Sequence, residues 1–257
     1  MDRAVLISLQ TSAPHMLRPC TAPHLTRATP RDTLLFYIDT SASSAAMMAR
    51  RGETIAALFQ GLPEGQRVEI WAFDQGITRL FEGKAGDGAA MISQRLETRG
   101  YMGATDLNSL LRHIEGRAAK DPNLQAILVS DGIPTFGPRD SADLLPILKN
   151  LPETARIDAL PLGSRFDGEM LNSLSAAGRG RVLPLSLGSS MEGALPQVIE
   201  GILTPPGVTL ELGSDGSEWV YPSRFNDVAP GAEIILFAKA TPGAPVALPP
   251  EGPPPPS

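Results

Sequence analysis

Two near-continuous apolar stretches restrict the fold of this chain more than any other sequence feature. Residues 33–38 lead directly into Asp39, and residues 126–129 lead through Ser130 into Asp131. A strand with one face in water alternates apolar and polar residues, whereas a strand buried on both faces of a parallel sheet is apolar throughout. Both stretches are therefore predicted to be central strands of a mostly parallel sheet.

Helical patterns alternate with strand patterns through the middle of the chain. Leu107, Leu110, Leu111 and Ile114 lie at i, i+3, i+4 and i+7, which predicts an amphipathic helix. The predicted helices are 47–59, 107–114, 142–148, 169–177 and 195–203, and the further strands are 68–73, 77–81, 157–162 and 181–185. This alternation predicts an α/β fold with a doubly wound, mostly parallel, Rossmann-like sheet flanked by helices. The turn signal at residues 74–76 makes 77–81 an antiparallel edge strand.

The two ends of the chain differ from its middle in sequence pattern and composition. Residues 1–30 are predicted to hold one short strand, 4–9, and an irregular linker, and the α/β domain is predicted to span 31–204. Residues 205–240 lack helical periodicity and are predicted to form a small β appendage with strands at 208–212, 219–221 and 233–238. Residues 241–257 are a proline-rich tail with too few apolar side chains to pack, and are predicted to be disordered or polyproline-like.

Charge and composition exclude several classes of function. The formal net charge of −6 is opposite to the basic surface of a general nucleic-acid binder, and it disfavours docking on an anionic membrane. A single cysteine, Cys20, cannot form an internal disulfide. No apolar run reaches the roughly 18 residues of a membrane-spanning helix, and the start of the chain lacks a signal-peptide pattern. We therefore expect the chain as given to be cytoplasmic. This expectation does not extend to a longer protein that contains the chain.

Oxygen-bearing side chains follow both apolar strands. Asp39, Ser41 and Ser43 are spaced so that all three face one point in an extended loop, and Asp131 follows the second strand. Thr105 lies between them, at the start of the helix that begins near residue 107. Ligands of doubly wound sheets bind at the carboxyl ends of the strands, where these loops would meet.

The chemistry of this set is that of a hard cation. Carboxylates and hydroxyls are ligands that Mg²⁺ accepts, whereas zinc prefers His and Cys, and neither lies nearby in the sequence. Two carboxylates and a divalent cation leave the site close to neutral, so a third carboxylate from outside would be accepted. The sequence therefore predicts a site for Mg²⁺, with Mn²⁺ and Ca²⁺ as alternatives, that can bind an acidic side chain of a partner protein.

These loops resemble those of von Willebrand factor type A (VWA) domains. Residues 39–43 (DTSAS) resemble the D-x-S-x-S motif of that family, 103–107 (GATDL) resemble its G-G-T-D-L loop, and 128–135 (LVSDGIPT) resemble its third metal loop. The resemblance implies a metal-ion-dependent adhesion site (MIDAS), in which the cation binds an acidic side chain of a partner. The residues that it implies as metal ligands are Asp39, Ser41, Ser43, Thr105 and Asp131.

Departures from that family's pattern lie beside the ligands and remove no ligating oxygen. Ala42 and Ala104 replace glycines, which would matter only if those backbone positions needed a positive φ. Residues 205–238 also resemble the β region that follows the module in inter-alpha-trypsin inhibitor heavy chain-like proteins. Those proteins carry a VIT domain before the module, and strand 4–9 resembles a remnant of it.

Two other functions remain open at this point. A metal-dependent phosphotransferase or hydrolase could use Asp39 as a nucleophile, but it would need a second acid and a lysine nearby, and residues 40–44 contain no acid. The second alternative is a metal-free structural scaffold. The favoured interpretation is a binding module without catalytic activity.

Overall fold

In a computed structural model of the chain, the backbone is described for residues 4–7, 18–21, 31–42, 48–163, 165–185 and 191–204, and for four short strands between 208 and 240. Side chains are described for residues 31–42, 49–163, 165–185 and 193–204. The predicted tail, 241–257, lies outside the described residues. None of the helices within these ranges is both long and apolar enough to cross a membrane.

The described elements alternate along most of the chain. The strands are β1 (Ala4–Ile7), β2 (Arg18–Thr21), β3 (Thr33–Asp39), β4 (Arg67–Phe73), β5 (Ile77–Lys84), β6 (Gln125–Val129), β7 (Arg156–Ala159), β8 (Val208–Glu211), β9 (Ser217–Tyr221), β10 (Arg224–Val228) and β11 (Phe237–Ala240). The helices are α1 (Met48–Gly61), α2 (Ala85–Arg99), α3 (Leu107–Ala118), α4 (Ser141–Leu148), α5 (Gly168–Ala177) and α6 (Met191–Leu203).

The main sheet has the order β5-β4-β3-β6-β7. β3 pairs in parallel with β4 and β6, and β6 pairs in parallel with β7. β5 is the antiparallel edge strand and pairs with β4. This topology confirms the predicted fold class, a mostly parallel sheet with one antiparallel edge strand and helices on both faces.

Alternate residues of β3 supply two separate hydrophobic cores. Leu35 and Tyr37 pack in a cluster with buried residues of α3, α4 and α5. Leu34, Phe36 and Ile38 pack in the other cluster with residues of α1, α2 and α6. Every residue from Leu34 to Ile38 is at most 1% exposed. The run is apolar because both faces of the strand are covered.

Helix α2 was not predicted from the sequence. Its buried positions Ala85, Ala89, Ile92 and Leu96 have helical spacing, but the first two are alanines and carry a weak apolar signal. Glycines at residues 86 and 88 also weaken a helix prediction, because glycine is unfavourable inside helices. The helix forms because it covers the face of the sheet beside β4 and β5.

The predicted strand at 181–185 is wrong as a regular strand. Within the described residues it makes two isolated parallel bridges, Ala159 with Val182 and Leu162 with Leu185. Residues 161 and 184 are prolines. Since proline has no backbone N–H, the ladder between these segments cannot be continuous, and β7 ends at Ala159 rather than at residue 162.

The terminal segments form a unit of their own. The chain divides into Pro30–Thr204 and a second unit that contains Met1–Thr29 and Pro205–Ser257. In the second unit β1 pairs with β2, β8 with β10, and β9 with β11, all antiparallel. β2 and β10 were not predicted, and β2 contains Cys20 in a segment that we took as linker. The sequence-based domain boundaries stay a prediction.

A buried polar network fixes the amino ends of β6 and β7. Arg156 lies 2.8 Å from Asp158 and donates to the carbonyl oxygens of Gly201 and Thr204 at 2.8 and 2.7 Å. Gln125 donates to Asp158 at 2.9 Å and to the carbonyl oxygen of Ile202 at 2.8 Å. The side chains of Arg156 and Asp158 are 5% and 0% exposed. The network therefore joins β6, β7 and the end of α6 within a water-excluded region.

We predict that Asp158→Ala destabilises the fold by about 3 kcal/mol, because Arg156 then stays buried without its charge partner. Urea unfolding followed by circular dichroism measures the change. Glu82→Ala is the matched control, since its pair with Arg79 is exposed and removal should cost less than about 1 kcal/mol. Equal losses in the two variants would show that the buried network contributes nothing beyond an ordinary surface pair.

Candidate metal centre

The carboxyl ends of β3 and β6 carry the candidate site. The two strands pair in parallel with Ile38 opposite Val129, so Asp39 and Ser130 follow at the same edge of the sheet. The sheet topology thereby places the first and third loops predicted from the sequence next to each other.

Asp39 is held by hydrogen bonds to both of its carboxylate oxygens. The Ser41 backbone N–H donates to Oδ1 at 2.9 Å, and the Ser130 hydroxyl donates to Oδ2 at 2.7 Å. Asp39 is 0% exposed. A carboxylate has about four lone-pair sites, so these two bonds orient the group and leave acceptor capacity for a cation. Ser130 also accepts from the Gly132 N–H at 3.1 Å, within the third loop. The bond from Ser130 to Asp39 therefore joins the third loop to the first.

The second loop is hydrogen-bonded to both of the others. Ala42 donates its N–H to the Gly103 carbonyl oxygen at 3.2 Å, and Met102 donates to the Thr40 carbonyl oxygen at 3.0 Å. Gly103 has a φ of 84°, a conformation that glycine adopts without strain. These contacts hold the second loop against the first.

Thr105 links the second loop to the third. Its N–H donates to the Thr135 hydroxyl at 2.8 Å, and its carbonyl oxygen accepts from Thr135 and Phe136 at 3.1 and 3.2 Å. Its own hydroxyl oxygen is buried and has no hydrogen-bond partner among the residues that the structure describes. A buried polar atom without a partner costs about 1–3 kcal/mol. That oxygen is suited to coordinate a cation, and coordination would remove the energetic cost of the unpaired buried oxygen.

Asp131 begins the third loop and is half-buried. One carboxylate oxygen, Oδ1, accepts from the Ile133 N–H at 3.0 Å, and the carbonyl oxygen accepts from the Asp167 N–H at 2.7 Å. Gly132 has a φ of 73°, and a Cβ there would lie 2.6 Å from Leu171 Cγ. Glycine is therefore required after Asp131 for both conformation and space.

Thr40, Asp74 and Arg99 support the first loop from the α2 side, and sequence reasoning did not identify them. Arg99 donates to Asp74 at 2.6 Å and to the Thr40 hydroxyl at 3.1 Å. Thr40 in turn donates to Asp74 at 3.2 Å, and the Asp74 carbonyl oxygen accepts from the Asp106 N–H at 3.1 Å. Arg99 lies on α2, the helix that the sequence did not reveal, so this support could not be foreseen.

Tyr101 is a further polar residue within electrostatic range of Asp39, and Arg51 lies within range of Tyr101. The Tyr101 hydroxyl and Arg51 Nε are buried and have no hydrogen-bond partners in the described part of the chain. Burial raises the pKa of Tyr101; the Arg51 cation opposes this shift and the Asp39 carboxylate adds to it. Tyr101 thus lies within electrostatic range of the first loop. Neither was singled out in the sequence, because neither belongs to a motif.

The structure places four of the predicted ligands, Asp39, Ser41, Thr105 and Asp131, on three hydrogen-bonded loops. The fifth, Ser43, lies outside the described residues. Asp106 is the N-cap of α3 and accepts from Ser109 at 3.0 Å. No cluster of three or more His, Cys, Asp or Glu able to hold a metal occurs among the residues described, so a cation site here depends on hydroxyl oxygens.

The alanine departures from the VWA pattern do not strain the loops. In the described part of the chain, Arg179 is the one non-glycine residue with a positive φ. Ala42 and Ala104 therefore occupy conformations that are open to any L-residue. The positive φ of the second loop belongs to Gly103, which the sequence retains. Alanine at these two positions therefore does not distort the backbone.

We predict that Ser130→Ala destabilises the fold by about 2 kcal/mol, since it removes a buried hydrogen bond to a charged carboxylate. Urea unfolding in the presence of a chelator measures this loss without any contribution from metal. Ser173→Ala on α5 is the control, because no side-chain hydrogen bond of Ser173 to a described residue is present. A loss no larger than that of the control would contradict the role of Ser130 in holding Asp39.

Comparisons with known proteins place the fold. No family model matches the sequence, and no curated protein matches it. Among solved structures, a von Willebrand factor type A protein from Catenulispora acidiphila is 16% identical, with a TM-score of 0.55 over 79% of this chain and 49% of the other. The ArnB paralog VWA2 from Sulfolobus acidocaldarius is 17% identical, with a TM-score of 0.52 over 83% of this chain and 57% of the other.

A third similar structure is proximal thread matrix protein 1 from the mussel byssus, described with a zinc-occupied MIDAS motif. It is 15% identical to this chain, with a TM-score of 0.51 over 74% of this chain and 51% of the other. The chain spans about half the length of each of these structures. At such low identity the likeness establishes the fold alone, and that fold is the fold of von Willebrand factor type A domains.

Proposed function

We propose that the chain is a divalent-cation-dependent protein-binding module. Asp39, Ser41, Ser43, Thr105 and Asp131 would hold the cation, and the cation would bind an acidic side chain of a partner protein. The observation that carries this proposal is the buried hydroxyl oxygen of Thr105. It has no hydrogen-bond partner within the described ranges, although its loop is joined to the loops of Asp39 and Asp131.

Mg²⁺ is the cation that we propose, with Mn²⁺ and Ca²⁺ as alternatives. The donor set contains only carboxylate and hydroxyl oxygens, which are ligands of hard cations. The mussel protein whose MIDAS is zinc-occupied supports a divalent ion at this position in the fold. Zinc itself is less suited to the present residues, because its preferred ligands, His and Cys, are absent from the proposed set.

Charge balance supports a carboxylate as the partner group. Asp39 and Asp131 together offset the two charges of the cation, so the first acidic group from outside adds little repulsion. The bound cation would supply a Lewis-acidic coordination position for that carboxylate. The residues of this chain contribute by orienting Asp39 through Ser41 and Ser130, and by keeping water away from the buried side of the site.

We propose binding without catalysis. A nucleophilic Asp39 would need a second acid nearby for proton transfer and a lysine to stabilise phosphoryl oxygens. Its carboxylate instead accepts hydrogen bonds from a backbone N–H and a serine hydroxyl, which suit an orienting role. The phosphotransferase and the metal-free scaffold remain the alternatives that experiment must separate from the binding module.

We predict that Mg²⁺ or Mn²⁺ raises the melting temperature of the wild-type protein and that Asp131→Ala abolishes the rise. A cation at a hundredfold excess over its Kd stabilises the folded state by about 2.7 kcal/mol, enough for a shift of several degrees. Differential scanning fluorimetry with and without a chelator measures the shift.

Asp87→Ala is the matched control for this experiment. Asp87 is an exposed aspartate in the first turn of α2, and α2 begins where β5 ends, beside the amino end of β4. The same chemical change is thus made at the opposite edge of the sheet, and the cation response should be kept. Identical responses in wild type and Asp131→Ala would refute the site, whereas Asp39-dependent hydrolysis of p-nitrophenyl phosphate would support the phosphotransferase.

A further inference from the structure

Three large hydrophobic side chains are exposed among those the structure describes. Met102 is 72% exposed, Phe136 is 52% exposed and Ile133 is 42% exposed. A single exposed apolar residue is common on a protein surface and needs no explanation. These three side chains instead lie on two of the loops of the candidate metal centre, and their position therefore needs an explanation.

Each of the three residues is one hydrogen bond away from a proposed metal-site residue or its immediate neighbour. Met102 donates its N–H to the carbonyl oxygen of Thr40 at 3.0 Å, and Phe136 donates to that of Thr105 at 3.2 Å. Ile133 donates to Oδ1 of Asp131 at 3.0 Å. We call Met102, Ile133 and Phe136 the apolar rim. The backbone that positions the site also fixes the position of this rim.

Charged groups of both signs lie near the third loop. Asp140 and Asp167 cap α4 and α5 by accepting backbone N–H groups at 3.0 and 2.9 Å, and the helix N-termini offset part of their negative charge. Arg139 and Arg165 are exposed and form no ion pair with any residue in the described ranges. The Asp131 carbonyl oxygen accepts from Asp167, which brings the loop of Arg165 beside the third loop.

We propose that the partner presents an acidic residue flanked by large apolar side chains, which the apolar rim covers when the carboxylate reaches the cation. This inference rests on the proposed function and names the chemistry of its partner. Burial of apolar side chains beside the carboxylate excludes water from the contact, and a desolvated aromatic or aliphatic anchor is what commonly carries the affinity of a protein interface. Arg139 and Arg165 add attraction for further acidic groups of the same segment.

Peptide selection tests the proposal directly. The wild-type protein with saturating Mg²⁺ is used to select from a displayed library of linear peptides with one fixed aspartate and random neighbours. We expect the enriched peptides to carry Leu, Ile, Phe or Met beside the aspartate. Fluorescence polarisation then gives the Kd of one enriched peptide, of its aspartate-to-asparagine form, and of a form with serine in place of the apolar neighbours.

Variants of the rim separate this inference from the metal site. Phe136→Ser should bind the enriched peptide about tenfold more weakly than wild type. The variant that combines Met102→Ser, Ile133→Ser and Phe136→Ser should lose at least as much affinity. Their Mg²⁺-dependent rise in melting temperature should equal that of wild type. Asp131→Ala should lose both the rise and the peptide.

The other outcomes each decide against the proposal. Enriched peptides with polar neighbours, or rim variants with unchanged Kd, would overturn the apolar rim and leave the metal-dependent binding intact. Peptide binding that survives a chelator and the asparagine substitution would overturn the proposed function and the inference with it, as would a selection that enriches nothing. Concentration-dependent dimerisation that the rim variants abolish would show that the rim binds a second copy of this chain.

Discussion

Parallel pairing of β3 with β6 is the constraint on which the rest of the site depends. The register runs from Leu34 opposite Gln125 to Ile38 opposite Val129, so both strands end at the same level. One residue of slip in a strand would turn its side chains to the opposite face of the sheet and bury the wrong set. The two apolar cores therefore fix the register, and the register fixes where Asp39 and Asp131 lie.

Much of this could be predicted from the sequence because strands buried on both faces have a distinctive composition. The apolar run before Asp39 and the one before Ser130 identified β3 and β6, and order in the chain then indicated the edge where their loops meet. α2 could not be predicted, because its buried positions are partly alanines and glycines interrupt its first turn. The support that Arg99 gives to Thr40 and Asp74 was hidden for the same reason.

Other parts of the site depend on contacts that no local pattern encodes. Ser130 is adjacent to Asp131 in the sequence, yet its hydroxyl donates a hydrogen bond to Asp39 on the neighbouring strand. The buried hydroxyl of Thr105 became evident only when the hydrogen bonds of all three loops were known. The exposed side chains of Met102, Ile133 and Phe136 could not be told from core residues in the sequence, since both are simply apolar.

We propose that these three loops enclose one cation. Anomalous X-ray scattering from a crystal grown with Mn²⁺ tests it most directly. We expect one strong anomalous peak bounded by the side chains of Asp39, Ser41, Ser43, Thr105 and Asp131, and we expect that peak to be lost in Asp131→Ala. A peak elsewhere on the protein, or no peak at a concentration of Mn²⁺ that shifts the melting temperature, would contradict the account.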